Sequence, residues 1–173
     1  PCPAGQSCED DTNTISGDCT PGTYSPRGSA VCTACPAGST CSDGAAEPTA
    51  CAPGFYSIGE TTECTPCPAG SSCADSTAAP VPCVPGTYSV GPQTGCTPCP
   101  AGSYCPDAAA SMAAPCTAGT YSTGRQASCT VCPPGHYCPH VDQAVELTCA
   151  SGTYSTGGET RSEEHTSELQ SSD

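Results

Sequence analysis

Nineteen cysteines fall on a fixed grid, and the grid limits this chain to a row of small cross-linked modules. From Cys2 to Cys149 one pattern recurs every 32 or 33 residues. It reads C-P-x-G-x-x-C, a loop, C-x-x-G-x-Y-S, and a closing C-x-x-C. The anchors are Cys2, Cys35, Cys67, Cys99 and Cys132. Such regularity argues for an array and against an enzyme with one large pocket. The modules span 1–34, 35–66, 67–98, 99–131 and 132–160; the first is cut at its N-terminus, where the cysteine that would make Cys2 part of a C-x-x-C is missing, and the last is incomplete.

Composition decides how such modules hold together. Cysteine makes up about 11 per cent of the chain, in the range of disulfide scaffolds. Leu, Ile, Val and Phe number only 12 of 173 residues, and Trp is absent. Ordering each residue costs roughly 1–2 kcal/mol, which so few large apolar side chains do not offset. Disulfides or metal must supply the order. No apolar run is long enough for a transmembrane helix. No signal peptide is present, and the chain opens at Pro1-Cys2 inside a repeat, as expected of a cut through a longer array.

The grid also predicts a cysteine at position 162. In the complete repeats the third cysteine is followed by the fourth thirteen positions on: Cys19 to Cys32, Cys51 to Cys64, Cys83 to Cys96, Cys116 to Cys129. Position 162 is Ser162, in the stretch RSEEHTSELQSSD. Arg161 to Ser171 resembles the in-frame translation of a short-read sequencing adapter, so 161–173 is set apart as a non-native tail. Residues 1–160 still carry 13 Asp and Glu against Arg27 and Arg125, with no lysine. This acidity argues against nucleic acid or an anionic membrane as partner.

Within a repeat, Pro-Gly or Ala-Gly before the Tyr-Ser pair marks a tight turn. Tyr-Ser reads as an extended limb, a second Gly reverses the chain, and the fourth cysteine closes a small irregular hairpin. The segment between second and third cysteine, such as 42–50, reads as an exposed variable loop. Tyr24, Tyr56, Tyr88, Tyr121 and Tyr154 are nearly the only large side chains. Their expected role is structural, covering a disulfide while the hydroxyl stays wet.

Two local pairing schemes are open. One joins first to second and third to fourth cysteine: Cys2–Cys8, Cys19–Cys32, Cys35–Cys41, Cys51–Cys64, Cys67–Cys73, Cys83–Cys96, Cys99–Cys105, Cys116–Cys129 and Cys132–Cys138. It leaves Cys149 unpaired. The other interleaves across C-x-x-C, as Cys32–Cys41 and Cys35–Cys51, and leaves Cys8 unpaired. The invariant thirteen-residue spacing favours the first.

The stretches CAPGFYSIGETTECTPCPAGSSC (51–73), CVPGTYSVGPQTGCTPCPAGSYC (83–105) and CTAGTYSTGRQASCTVCPPGHYC (116–138) resemble the ephrin-receptor-like cysteine-rich repeat. That family belongs with the growth-factor-receptor and tumour-necrosis-factor-receptor cysteine-rich domains. The resemblance implies secretion, disulfides, elongated rods, and roles in adhesion or receptor stalks. The tumour-necrosis-factor-receptor pattern has six cysteines per repeat, and this chain has four.

Other chemistry fits less well. The C-x-x-C pairs Cys32/Cys35, Cys64/Cys67, Cys96/Cys99 and Cys129/Cys132 have zinc or redox spacing, yet they sit between turns rather than at a helix start. His136 and His140 flank Cys138 only once. Glu9, Asp10, Asp11 and Asp18 lack the alternation of an EF-hand loop. Arg27-Gly28-Ser29 is a turn. Asn13 heads no glycosylation sequon, while the many Ser and Thr leave O-glycosylation open.

The expected fold is therefore a rod of small disulfide-rich modules, short irregular β-hairpins with essentially no helix, roughly 100 Å long. No enzyme activity, cofactor, metal or nucleic-acid partner is expected, nor membrane insertion of this segment. The expected setting is extracellular or the cell surface. The expected function is a stalk, adhesion or fibre and coat element with protein or glycan partners or self-association. The alternative is the ligand-binding part of a receptor ectodomain.

Overall fold

Ten two-stranded antiparallel hairpins follow one another along the chain in a computed structural model that describes residues 1–9, 14–107 and 109–164. No helix occurs among these residues. The strands of hairpins one to five are Gln6–Cys8 with Ile15–Asp18, Thr23–Tyr24 with Thr33–Ala34, Ser39–Thr40 with Thr49–Ala50, Phe55–Tyr56 with Thr65–Pro66, and Ser71–Ser72 with Val81–Pro82. Hairpins six to ten pair Thr87–Tyr88 with Thr97–Pro98, Ser103–Tyr104 with Ala114–Pro115, Thr120–Tyr121 with Thr130–Val131, His136–Tyr137 with Leu147–Thr148, and Thr153–Tyr154 with Glu163–Glu164. The contacts divide the chain into two units, 1–83 with 89–96, and 84–88 with 97 onward.

The structural period is thus half the sequence period. Both halves of a repeat begin C-x-x-G-x-x, and both make the same turn. At Gly22 the backbone has φ +84°, and at Gly38 +77°, which L side chains rarely adopt. Two strand residues follow the glycine. The return strand then runs into the next half-repeat, whose first cysteine donates its N–H to the carbonyl of that same glycine. The bond recurs at Cys19, Cys35, Cys51, Cys67, Cys83, Cys99, Cys116, Cys132 and Cys149, at 2.8–3.0 Å.

Two local readings need correction. The hairpin in the second half of a repeat does not close at the fourth cysteine. Its return strand lies beyond, in the two residues inside C-x-x-C, such as Thr33–Ala34. The stretch between second and third cysteine is likewise not all loop, because its end, such as Thr49–Ala50, pairs with Ser39–Thr40. A ladder two residues long draws on backbone groups, so it tolerates the varied side chains that made these stretches look irregular. Proline occupies four return strands, at Pro66, Pro82, Pro98 and Pro115. Proline has no N–H to donate, so these strands present a blunted edge to any further strand.

Isolated two-residue hairpins do not stand alone in water. Here hairpins within each unit bond forward to their neighbours. Within the first unit Gly5, Gly38 and Gly70 donate N–H to the carbonyls of Ser25, Ser57 and Ser89 at 2.7–2.8 Å. Within the second unit Gly86, Gly102 and Gly119 donate to Cys105, Ser122 and Cys138 at 2.7–3.0 Å. The turn glycines also touch the hairpin after next. A Cβ on Gly54 would stand 2.7 Å from the carbonyl of Pro92, and one on Gly22 would strike the carbonyl of Glu60.

Among the described residues the buried side chains are half-cystines, serines and Ala110. Nine disulfides join first to second and third to fourth cysteine: Cys2–Cys8, Cys19–Cys32, Cys35–Cys41, Cys51–Cys64, Cys67–Cys73, Cys83–Cys96, Cys99–Cys105, Cys116–Cys129 and Cys132–Cys138. By loop closure, a bridge across six residues stabilises by about 2 kcal/mol and one across thirteen by about 3 kcal/mol. The interleaved pairs do not form. Cys149 has no disulfide and is half-buried. Ser162 stands where the grid wants its partner, and Glu163–Glu164 nonetheless supplies a return strand. Arg161 and Glu163 pair at 2.9 Å on the surface, which contributes little. The rest of the tail, 165–173, lies outside the described residues.

Candidate functional site

The half-repeats differ at one buried position, and that position organises each module. In the first half, the sixth residue after the opening cysteine is cysteine, and it closes a short disulfide beside the turn, as Cys35–Cys41 does. In the second half the same place holds serine. Ser25, Ser57, Ser89, Ser122 and Ser155 are buried, three of them completely. Where the short disulfide ties the strand end back to the opening cysteine, these hydroxyls tie it to the loop that follows. Ser57, Ser122 and Ser155 accept the N–H of Gly59, Gly124 and Gly157 at 3.1–3.2 Å. Ser122 Oγ also donates to the Ser103 carbonyl at 2.7 Å, which links two hairpins. Buried hydroxyls need such partners, since an unpaired one costs about 1–3 kcal/mol.

These serines had no role in the sequence reading, which treated Tyr-Ser as one extended limb. The signal lay in the half-period: aligning C-x-x-G-x-x-C with C-x-x-G-x-Y-S puts serine on cysteine.

The tyrosines sit one residue earlier and point less inward. Tyr24, Tyr56, Tyr88 and Tyr121 are half-buried, and Tyr154 is 47% exposed. Tyr88 packs against the cluster formed by Cys99, Cys105 and Ala110. The hydroxyls of Tyr24, Tyr56, Tyr88 and Tyr121 take no hydrogen bond among the described residues. These residues are spread along the array, one per repeat, rather than gathered at one place.

The C-x-x-C motifs do not form reactive dithiol pairs. Cys32 bonds back to Cys19 while Cys35 bonds forward to Cys41, so the two cysteines of the motif belong to separate disulfides, each within its own module. The same division holds at Cys64/Cys67, Cys96/Cys99 and Cys129/Cys132. The two disulfide classes differ in exposure. Both cysteines of every six-residue bridge are buried, whereas Cys19, Cys32, Cys51, Cys64, Cys96 and Cys129 are half-exposed.

No group of three metal-binding side chains occurs among the described residues. His136 Nδ1 lies 3.4 Å from the Pro134 carbonyl in a local contact. Glu9 and Asp18 fall in the first hairpin, where Asp18 accepts a hydrogen bond from Gln6 at 2.9 Å. Asp10, Asp11 and Asn13 lie outside the described residues. The Arg27-Gly28-Ser29 turn bonds back through Gly28 N–H to the Cys2 carbonyl at 2.9 Å.

Aspartate has a local structural task in the loops after the second cysteine. Asp43 accepts the N–H of Ala45 at 2.9 Å. Asp75 accepts the Thr77 hydroxyl at 2.6 Å and its N–H at 2.8 Å. These two bonds, the hydroxyl first, hold the Asp75 carboxyl below its ordinary value.

Two concavities among the described residues are shallow and open. One of about 230 Å³ in the first unit is lined by Cys51, Pro53, Phe55, Cys73 and Thr94 among others. One of about 260 Å³ in the second unit is lined by Tyr104, Thr117, Thr120, Ser128 and Cys129. Neither holds a cluster of acid, base and nucleophile. Aliphatic side chains are exposed singly, as at Ile58, Val90 and Met112, which is ordinary for a protein surface. No helix is long and apolar enough to cross a membrane among the described residues. No protein-family model matches the chain, and no curated protein matches it.

Proposed function

We propose that this chain is a length of a non-catalytic extracellular array, serving as a stalk, adhesion or fibre and coat element of a larger protein. The observation that carries the reading is how the interior is used. Among the described residues the buried side chains are half-cystines, serines and one alanine. Nine disulfides suit an oxidising compartment. Hairpins that bond forward to their successors suit repeat addition, in which length grows without a new core. The resemblance of 51–73, 83–105 and 116–138 to ephrin-receptor-like repeats supports the same reading.

Small-angle X-ray scattering of the secreted chain tests it. An extended spacer about 100 Å long, from hairpin limbs of about 20 Å per module, has a radius of gyration of about 29 Å. A compact domain of this length has about 15 Å. The larger value is expected, and the smaller one refutes the spacer. Saturable, stoichiometric binding of one soluble protein ligand would favour a receptor ectodomain instead.

A further inference from the structure

Two sets of threonines recur in the array, and only one has a partner for its hydroxyl. Thr23, Thr87, Thr120 and Thr153 follow the turn glycine. Each donates its hydroxyl to the carbonyl three residues back, at 2.6–2.9 Å. Thr33, Thr65, Thr97 and Thr130 follow the fourth cysteine and open the C-x-x-C strand. All four are exposed. Their hydroxyls take no hydrogen bond among the described residues.

The backbone does not demand threonine there. The equivalent strand position in the other half-repeats holds Thr49, Val81, Ala114 and Leu147, in the same register. The tyrosine opposite does not demand it either. Thr33, Thr65, Thr97 and Thr130 face Tyr24, Tyr56, Tyr88 and Tyr121. Yet Tyr104 and Tyr137 face Ala114 and Leu147 in matching hairpins. The neighbour inside C-x-x-C also varies, as Ala34, Pro66, Pro98 and Val131. What stays the same is an exposed secondary hydroxyl, held between two cysteines whose disulfides belong to adjoining hairpins.

We propose that Thr33, Thr65, Thr97 and Thr130 are O-glycosylation sites recognised on the folded module. The donor is a nucleotide-activated sugar. Threonine Oγ1 attacks the anomeric carbon, the bond from that carbon to the nucleoside diphosphate breaks, and the hydroxyl proton passes to a base of the transferase. The rigid strand presents the acceptor, and the tyrosine across the ladder offers an aromatic surface beside the attached sugar. The inference rests on the extracellular reading, because the transferases and the disulfides share the secretory pathway.

Glycopeptide mapping of the chain secreted from eukaryotic cells tests it, with free thiols counted on the same sample. The expected result is a sugar mass on each of the four threonines and none on Thr23, Thr87 or Thr120. Bare threonines in a chain with nine disulfides intact overturn the inference and leave the extracellular reading standing. Free thiols throughout overturn both. A variant with all four changed to Val is expected to keep nine disulfides and lose the sugar mass, while Thr→Ser keeps both. Loss of the disulfides in the Val variant would show the threonines to be structural and overturn the proposal.

Discussion

Gly102 and Gly135 form a matched pair that isolates one contact of the array. Both lie three residues after a first cysteine, both have φ +81°, and both accept a cysteine N–H at 2.9 Å. They differ in what lies beyond them. A Cβ on Gly102 would run into the carbonyl of Asp142, in the hairpin after next. A Cβ on Gly135 would meet nothing within 4 Å. Alanine at either place carries the same left-handed strain, about 1–2 kcal/mol. That strain cancels in the comparison. The collision adds about 1–3 kcal/mol of overpacking at Gly102 alone. At about 1.4 kcal/mol per factor of ten, the difference is about 5- to 150-fold. Unfolding by denaturant with disulfides intact reports it, since strain of equal size cancels in the global free energy. Gly102→Ala is expected to raise the unfolding equilibrium constant by that factor relative to Gly135→Ala. Equal stabilities in the two variants would refute the claim that hairpins brace one another across an intervening one.

Other outcomes follow from the same geometry. Ser122→Ala leaves Gly124 N–H and the Ser103 carbonyl unpaired, so unfolding by denaturant is expected to show a loss of about 1–3 kcal/mol. Under a rising thiol titration followed by alkylation and peptide mapping, the half-exposed pairs Cys19–Cys32 and Cys51–Cys64 are expected to open before the buried Cys35–Cys41 and Cys67–Cys73. The Asp75 carboxyl is held below its ordinary value of 3.8, so its turn is stabilised above that pH and loosens as pH falls through the lowered value. The Thr77 amide shift, followed by NMR, is expected to titrate with a midpoint below 3.8, and Asp75→Asn is expected to abolish the step.

Much of the fold was legible because cysteine and glycine carry it locally. The thirteen-residue spacing pointed to a bridge such as Cys51–Cys64, and the glycines after each third cysteine pointed to turns. The half-period was harder to see, because cysteine at one half's buried position is serine at the other. Chemically unlike residues fill one buried place there, cysteine bonding back across the turn and serine bonding forward into the loop. The return strands were hidden for a different reason. A two-residue ladder leaves no alternation of apolar and polar residues, and Thr33–Ala34 reads as a mere spacer between cysteines. Contacts such as Gly102 with Asp142 bridge forty positions, beyond what spacing within one repeat conveys. The functional surface was the least legible part, since single exposed residues such as Ile58 and Val90 carry no pattern.

Disulfide mapping tests the central claim most directly. The native chain is labelled with a thiol reagent, digested without reduction, and its linked peptides are identified by mass spectrometry. The account predicts nine local links, six and thirteen residues apart, with label on Cys149 alone. Links such as Cys32–Cys41 and Cys35–Cys51 with label on Cys8, or label on most cysteines, would contradict it.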